Sequence, residues 1–188
     1  MPPKVKFSKD KITSVAFNMV RKHGIDFLSA RSLAAELGAS TAPIFTAFQS
    51  IEEVQHAVIL KAKELYASYI NRALSGELPF KETGLEYIRF AADEPELFKL
   101  LFMSSGENHS FTHYFPAGDE NADTILETVK NCYGMEEEKA KSLYNHLSVY
   151  VHGIAVLFAQ RQCVFTMNDV SVMLTEVFKA LTKEEENG

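Results

Sequence analysis

The side chains of this chain that could do bond-making chemistry are few and badly placed for it. His109 and His113 stand four residues apart with Glu107 close by, a spacing that could present two imidazoles to one zinc ion. They fall in a Gly- and Ser-bearing segment between Ser104 and Asp119 rather than in a helical one, so no metal site is expected. His146 and His152 are six apart, which puts them on different faces of a helix. Cys132 and Cys163 are too distant in sequence to form a C-x-x-C motif, and both read as small buried hydrophobes. No G-x-x-x-x-G-K-[ST], G-x-S-x-G, H-E-x-x-H or G-x-G-x-x-G occurs. The run Glu136 to Lys141 reads as a solvated helix start, not an acid/base pair. Neither catalytic residues nor a cofactor is expected, and the chain does not read as an enzyme.

A second set of residues suits a different chemistry, the binding of a polyanion. It holds the cations Lys4, Lys6, Lys9, Lys11 and Arg31, the hydroxyls Ser32, Ser40, Thr41, Thr46 and Ser50, and the small or apolar Ala42, Pro43 and Phe45. Cations and hydroxyls bond phosphate oxygens, and methyl or aromatic edges can meet a thymine methyl. The overall charge of −6 hides an asymmetry: Met1 to Lys63 carries 9 basic and 5 acidic residues, the remainder 10 and 20. A basic first third on an acidic remainder points to a polyanion met by the N-terminal part alone.

Helical spacing dominates the chain, with no strand alternation, repeat or low-complexity tract. Ser8 caps a helix to about His23 with Ile12, Val15, Ala16, Met19 and Val20 on its buried face. Gly24 is placed to end it in a left-handed conformation, and Phe27 and Leu28 are expected to enter the core. Ser29 caps a helix from Ala30 to Leu37. Gly38 supplies the positive φ of a tight turn, and Ser40 or Thr41 caps a third helix with Pro43 in its first turn. Leu33, Ala34 and Leu37 face inward from one helix, and Ala39, Ile44 and Phe48 from the other. That is the spacing of a helix-turn-helix, whose second helix lies in the major groove. The box Ser50-Ile51-Glu52-Glu53 opens a fourth helix to about Leu74. After the turn-rich "SGELP", further helices are expected at about 81–93, 95–104, 120–133, 137–162 and 167–182. The fold class is all-α with about nine helices. An N-terminal three-helix helix-turn-helix domain spans 8–68, its fourth helix continuing to about 74, and a C-terminal helical ligand-binding and dimerisation domain spans 75–185.

"ITSVAFNMVRKHGIDFLS" followed by "SARSLAAELGASTAPIFTAFQSIEEV" resembles the DNA-binding domain of TetR-type transcriptional regulators over about residues 8 to 60. More loosely, "EPELFKLLFMS" and the His152-Gly153 pair in "YVHGIAVLF" resemble the regulatory domain of one branch of that family. The resemblance implies a homodimer on a palindromic operator, usually a repressor relieved by a small molecule. The family often carries a basic residue after Ser50, where this chain has Ile51, and commonly a Tyr where this chain has Phe45. The residues assigned to double-stranded DNA are Lys9, Arg31, Ser32, Ser40, Thr41, Ala42, Pro43, Phe45, Thr46 and Ser50. The alternative is a small-molecule binding protein with weakened DNA binding.

The helix at 137–162 is apolar most of the way round between 149 and 159. Leu147, Val151, Ile154 and Phe158, with Met173 and Val177 of the last helix, are expected to form a four-helix interface with a second copy. Gly153 in mid-helix is expected to mark close approach of another helix. An apolar pocket for a small apolar effector of unknown identity is expected among Tyr87, Phe90, Phe98, Phe102, Phe111, Tyr114 and His152, the last beside Gly153 as a packed or hydrogen-bonded residue. The longest apolar run, Val149 to Ala159, is too short for a bilayer, which needs about 20 residues. No secretory signal stands at the start, so no membrane partner is expected and the protein is placed in the cytoplasm.

Overall fold

The computed structural model describes residues 7–74, 79–103, 126–127, 130–131 and 133–183. Those residues are all-α. They form α1 (Lys9–His23), a 3₁₀ turn (Ile25–Phe27), α2 (Ala30–Glu36), α3 (Ala42–Ala47), α4 (Ile51–Leu74), α5 (Pro79–Asp93), α6 (Pro95–Phe102), α7 (Glu137–Ala159) and α8 (Met167–Lys183). Eight α-helices are thus delimited among the described residues, against the nine expected. The missing one, at 120–133, falls largely outside them, though residues 126, 127, 130, 131 and 133 are helical. Among the described residues no helix is long and apolar enough to cross a membrane.

The chain divides into two compact units, Met1–Leu65 with Glu96–Ser104, and Tyr66–Pro95 with Ser105–Gly188. Because Glu96–Ser104 belongs to the first unit, the chain passes between the two units within α4 and again on either side of that segment.

In the first unit, α1 starts where Ser8 Oγ accepts a hydrogen bond from Lys11 N at 3.2 Å. Its buried face is Ile12, Ala16, Phe17, Met19 and Val20. Phe17 takes the place expected for Val15, which is half-buried. Gly24 ends the helix at φ +84°, ψ 167°, donating to Val20 O at 2.8 Å. That is positive φ with extended ψ, a region that only glycine readily enters, rather than the left-handed helical geometry expected. A Cβ there would stand 3.0 Å from Glu96 Oε2. Leu28 enters the core, but Phe27 is half-exposed and packs on the His23 ring at 4.7 Å. Leu33, Ile44, Val54, Val58, Leu97 and Phe98 are fully buried.

In the second unit, α5 packs mainly on α7 and also on α8. The close approach is made at Gly84, where a Cβ would lie 3.3 Å from Val151 Cγ2 and 3.6 Å from Leu174 Cδ1. The end of α4 is tied to α5 by Arg72–Glu86 at 3.1 Å, by Tyr69 Oη donating to Asp93 Oδ2 at 3.2 Å, and by Tyr66 against Tyr87 and Phe90. α7 stops at Ala159, three residues short of expectation. Arg161 takes the left-handed position at φ +57°, and Gln162 N donates to Leu157 O, Arg161 N to Phe158 O. This is a Schellman ending built without glycine, which is why no glycine in the sequence signals it. Cys163 therefore lies in a half-buried connection rather than a helix core, and Cys132 lies outside the described residues. Thr166 and Asp169 then cap α8 reciprocally, Thr166 N to Asp169 Oδ2 at 2.8 Å and Asp169 N to Thr166 Oγ1 at 3.2 Å. The Thr166 hydrogen bonds hold the Asp169 carboxyl below the usual carboxylate range.

Candidate functional site

The short helix α3 has six residues, too few to persist alone in water. Its stability comes from both ends and one face. Upstream, Ser29 and Ser32 form a closed cap: Ser32 N donates to Ser29 Oγ at 3.1 Å, Ser29 N to Ser32 Oγ at 3.0 Å, and Ser32 Oγ reaches Phe27 O at 2.8 Å. The Ser32 hydroxyl is thereby committed to holding α2. The turn is a full Schellman motif. Gly38 sits at φ +64°, Gly38 N donates to Ala35 O at 3.1 Å and Ala39 N to Ala34 O at 3.0 Å. Ile44 and Phe48 then bury one side of α3.

The other side is turned out. Ser40, Thr41, Ala42, Phe45 and Thr46 are exposed, Phe45 to 49%, and Pro43 is half-buried. Thr41 is the N-cap residue, yet no side-chain hydrogen bond caps α3. The Ser40 and Thr41 hydroxyls are thus not committed to the helix start, contrary to the capping role expected of one of them. Thr46 Oγ1 donates to Ala42 O at 2.9 Å, which leaves its lone pairs outward. Arg31 is exposed in the first turn of α2. Lys9 is different: its Nζ bonds Glu53 Oε1 at 2.9 Å and lies 4.9 Å from the Phe48 ring centre. Glu53 also accepts from Gln49 N at 2.6 Å. That backbone bond, and then Lys9, hold its carboxyl below the usual range. Ser50 Oγ accepts from Glu53 N at 3.3 Å, and a hydrogen bond from Ser50 lowers Glu52 likewise. Lys9 and Ser50 are therefore engaged in fastening α1, Phe48 and the start of α4. Lys4 and Lys6 lie outside the described residues.

The second unit contains a cavity of about 360 Å³. It is walled by Phe80, Lys81 and Gly84 of α5, Tyr133, Tyr144, Leu147, Ser148 and Val151 of α7 and its approach, and Leu174, Thr175 and Phe178 of α8. The rings of Phe80 and Tyr133 lie 6.3 Å and 4.9 Å from that of Phe178. None of the expected pocket residues that are described lines it. Tyr87 and Phe90 are core residues facing Tyr66. Phe98 and Phe102 belong to the first unit, stacked at 5.0 Å in α6. Phe111 and Tyr114, like Glu107, His109 and His113, lie outside the described residues. His152 Nδ1 is 2.9 Å from Tyr87 Oη, and burial pushes the imidazole below its ordinary value. It is the hydrogen-bonded residue that the sequence suggested, placed off the cavity.

The family described as "Tetracyclin repressor-like, C-terminal domain" matches residues 80–181, more than half of the 188-residue chain. The chain belongs to the TetR family. No curated protein matches the chain. The TetR-like match begins at Phe80, the first cavity residue, and ends at Leu181 in α8, so it takes in the whole cavity wall.

In this TetR-type regulator three of the six residues expected to face a second copy turn inward. Leu147, Val151 and Ile154 are buried in the chain's own core, Leu147 and Val151 lining the cavity. Phe158, Met173 and Val177 are half-buried. The outward stripe of α7 is Val149, Gly153 and Leu157, with Val149 44% and Leu157 36% exposed. Among the described residues nothing lies within 4 Å of a would-be Gly153 Cβ, and the close approach inside the unit is made at Gly84. Phe80, Lys81, Gly84 and Thr175 were the residues that sequence reasoning missed. Their only signal was membership of amphipathic helices that also contain many core residues.

Proposed function

We propose that this TetR-family regulator is a homodimeric transcriptional repressor that reads a palindromic operator through α3 and is controlled by a small effector in its second unit. The exposed surface of α3 carries this reading. It offers hydroxyls, small side chains and one aromatic, on a helix anchored by Ile44 and Phe48 rather than by its own propensity. Thr41, Ala42, Phe45 and Thr46 meet base edges, Pro43 allows close approach, and Ser40 and Arg31 meet phosphate. Ser32, Ser50 and Lys9 hold that surface in place instead of contacting DNA. The second copy docks on Val149, Gly153 and Leu157. A mid-helix glycine is about 1 kcal/mol worse than alanine, and here the chain's own packing gives no return for it. Effector binding against α5 shifts the end of α4 through Arg72–Glu86 and Tyr69–Asp93, and so alters the separation of the two reading helices. Regulation of transcription places the protein in the cytoplasm.

A gel shift of the purified full chain tests the reading, using DNA from upstream of its own gene. Salt-sensitive preference for a palindromic site over random DNA supports it. Absence of that preference favours the second reading, a small-molecule binding protein with weakened DNA binding. Ile51 in place of a cation and the Lys9–Glu53 pair, both of which thin the supply of phosphate contacts, speak for that second reading.

A further inference from the structure

Among its described residues, the wall of the cavity carries one cation, Lys81. Lys81 Nζ donates to Thr175 Oγ1 at 2.8 Å, and Thr175 Oγ1 in turn donates to Ser171 O at 2.9 Å. This relay fixes the ammonium at the wall while using one of its three N–H donors. Among the described residues no carboxylate lines the cavity and Lys81 has no ion pair. The nearby Ser148 hydroxyl is committed to Tyr144 O at 2.6 Å. Around this charge the wall is hydrocarbon and aromatic, chiefly Phe80, Leu147, Val151 and Phe178.

A ligand filling such a space displaces water from the ammonium. A neutral apolar ligand would leave that half-buried charge poorly solvated, which is unfavourable. An anion replaces the water with a charge-assisted hydrogen bond. Lysine acts as a single point charge rather than a bidentate fork, so one negative charge on a compact group is matched and a dianion is not. At about 360 Å³ the cavity is at the small end of ligand sites.

We propose that the effector is an organic monocarboxylate with an apolar body, its carboxylate bound by Lys81 Nζ and its hydrocarbon among the rings of α5, α7 and α8. The proposal rests on the reading of the second unit as an effector domain and names the chemical class of what that domain takes.

The test is calorimetric titration of the full chain, without DNA, with decanoate and 4-phenylbutyrate and with their neutral amides. At least one acid should bind roughly tenfold or more tightly than its amide. In Lys81→Met that preference should disappear while the amide still binds, which shows that the cavity is intact, and Lys81→Arg should recover part of it. Equal affinity for acid and amide in the native chain, no binding of either acid, or a preference that survives in Lys81→Met overturns the proposal. Should Lys81→Met fail to fold, the acid-to-amide ratio of the native chain decides alone. The same acids are then added to the gel shift: an acid that binds without altering DNA binding leaves the ligand class standing and refutes effector control.

Discussion

Gly38 has open space around it, with nothing within 4 Å of a would-be Cβ. Its requirement is therefore conformational and not steric. Gly38→Val, forcing a β-branched residue to φ +64°, should cost about 1–2 kcal/mol and abolish specific DNA binding. Gly38→Asn should fold and bind, since asparagine tolerates that conformation. Thermal melts and gel shifts of the pair check this, and equal behaviour of the two would mean that the turn does not aim α3. Phe45, half-exposed, is the opposite case. Phe45→Ala should leave the melting temperature nearly unchanged and weaken specific binding more than nonspecific binding. Equal loss of both would reduce Phe45 to a backbone contact. His152 gives a pH signature. Burial lowers its pKa in the folded chain, so between about pH 6.5 and that lower value the unfolded chain holds the extra proton. Stability is therefore full above about pH 6.5 and lost as pH falls through the folded value. His152→Gln should flatten that part of the urea-midpoint profile, and an unchanged slope would assign the proton uptake to other groups.

At the scale of elements, α7 shows why an interface cannot be read off apolar content. It is apolar almost all round between 149 and 159, so two stripes, Leu147–Val151–Ile154 and Val149–Gly153–Leu157, compete for the core. Only the packing of α5 at Gly84 decides, and it selects the first. Leu147→Ala should accordingly lower stability by about 2–5 kcal/mol, as a core truncation does. Leu157→Glu should leave the fold intact and split the dimer proposed above, as sedimentation would show. A dimer that persists in Leu157→Glu would remove the exposed stripe as the contact. By contrast, α1 to α4 were legible nearly residue by residue. Their signals are local: Ser8, Ser29 and Ser50 as caps, Gly24 and Gly38 as stops, and inward-facing residues on α1, α2 and α3. The cavity had no local signal. Tyr87 and Phe80 stand seven apart on one helix with the same chemistry, and only the positions of α7 and α8 make one core and the other wall. Phe98 was misplaced for a related reason: α6 follows α5 at once in the chain but belongs to the other unit.

For the molecule as a whole, the charge asymmetry of +4 up to Lys63 and −10 beyond it predicts a limited salt dependence. With Lys9 held by Glu53, the proposed dimer has Arg31 as its cationic phosphate contact in each half-site and should lose roughly tenfold in operator affinity between 50 and 200 mM salt. A much steeper loss would mean that Lys9 leaves Glu53 on binding. On the proposed function, the acidic remainder of the chain repels DNA and affinity rests on the small outward surface of α3.

Gly84 has a further meaning in genetic terms. It is a cavity-wall residue whose missing methyl group is all that separates α5 from Val151 and Leu174. Alanine is one nucleotide away from any glycine codon. A single base change could therefore add a methyl group to the wall, narrow the space for a ligand and leave α3 untouched. On the proposed function of a repressor released by its effector, selection for cells in which the controlled genes stay silent in the presence of that effector should recover alleles at this codon.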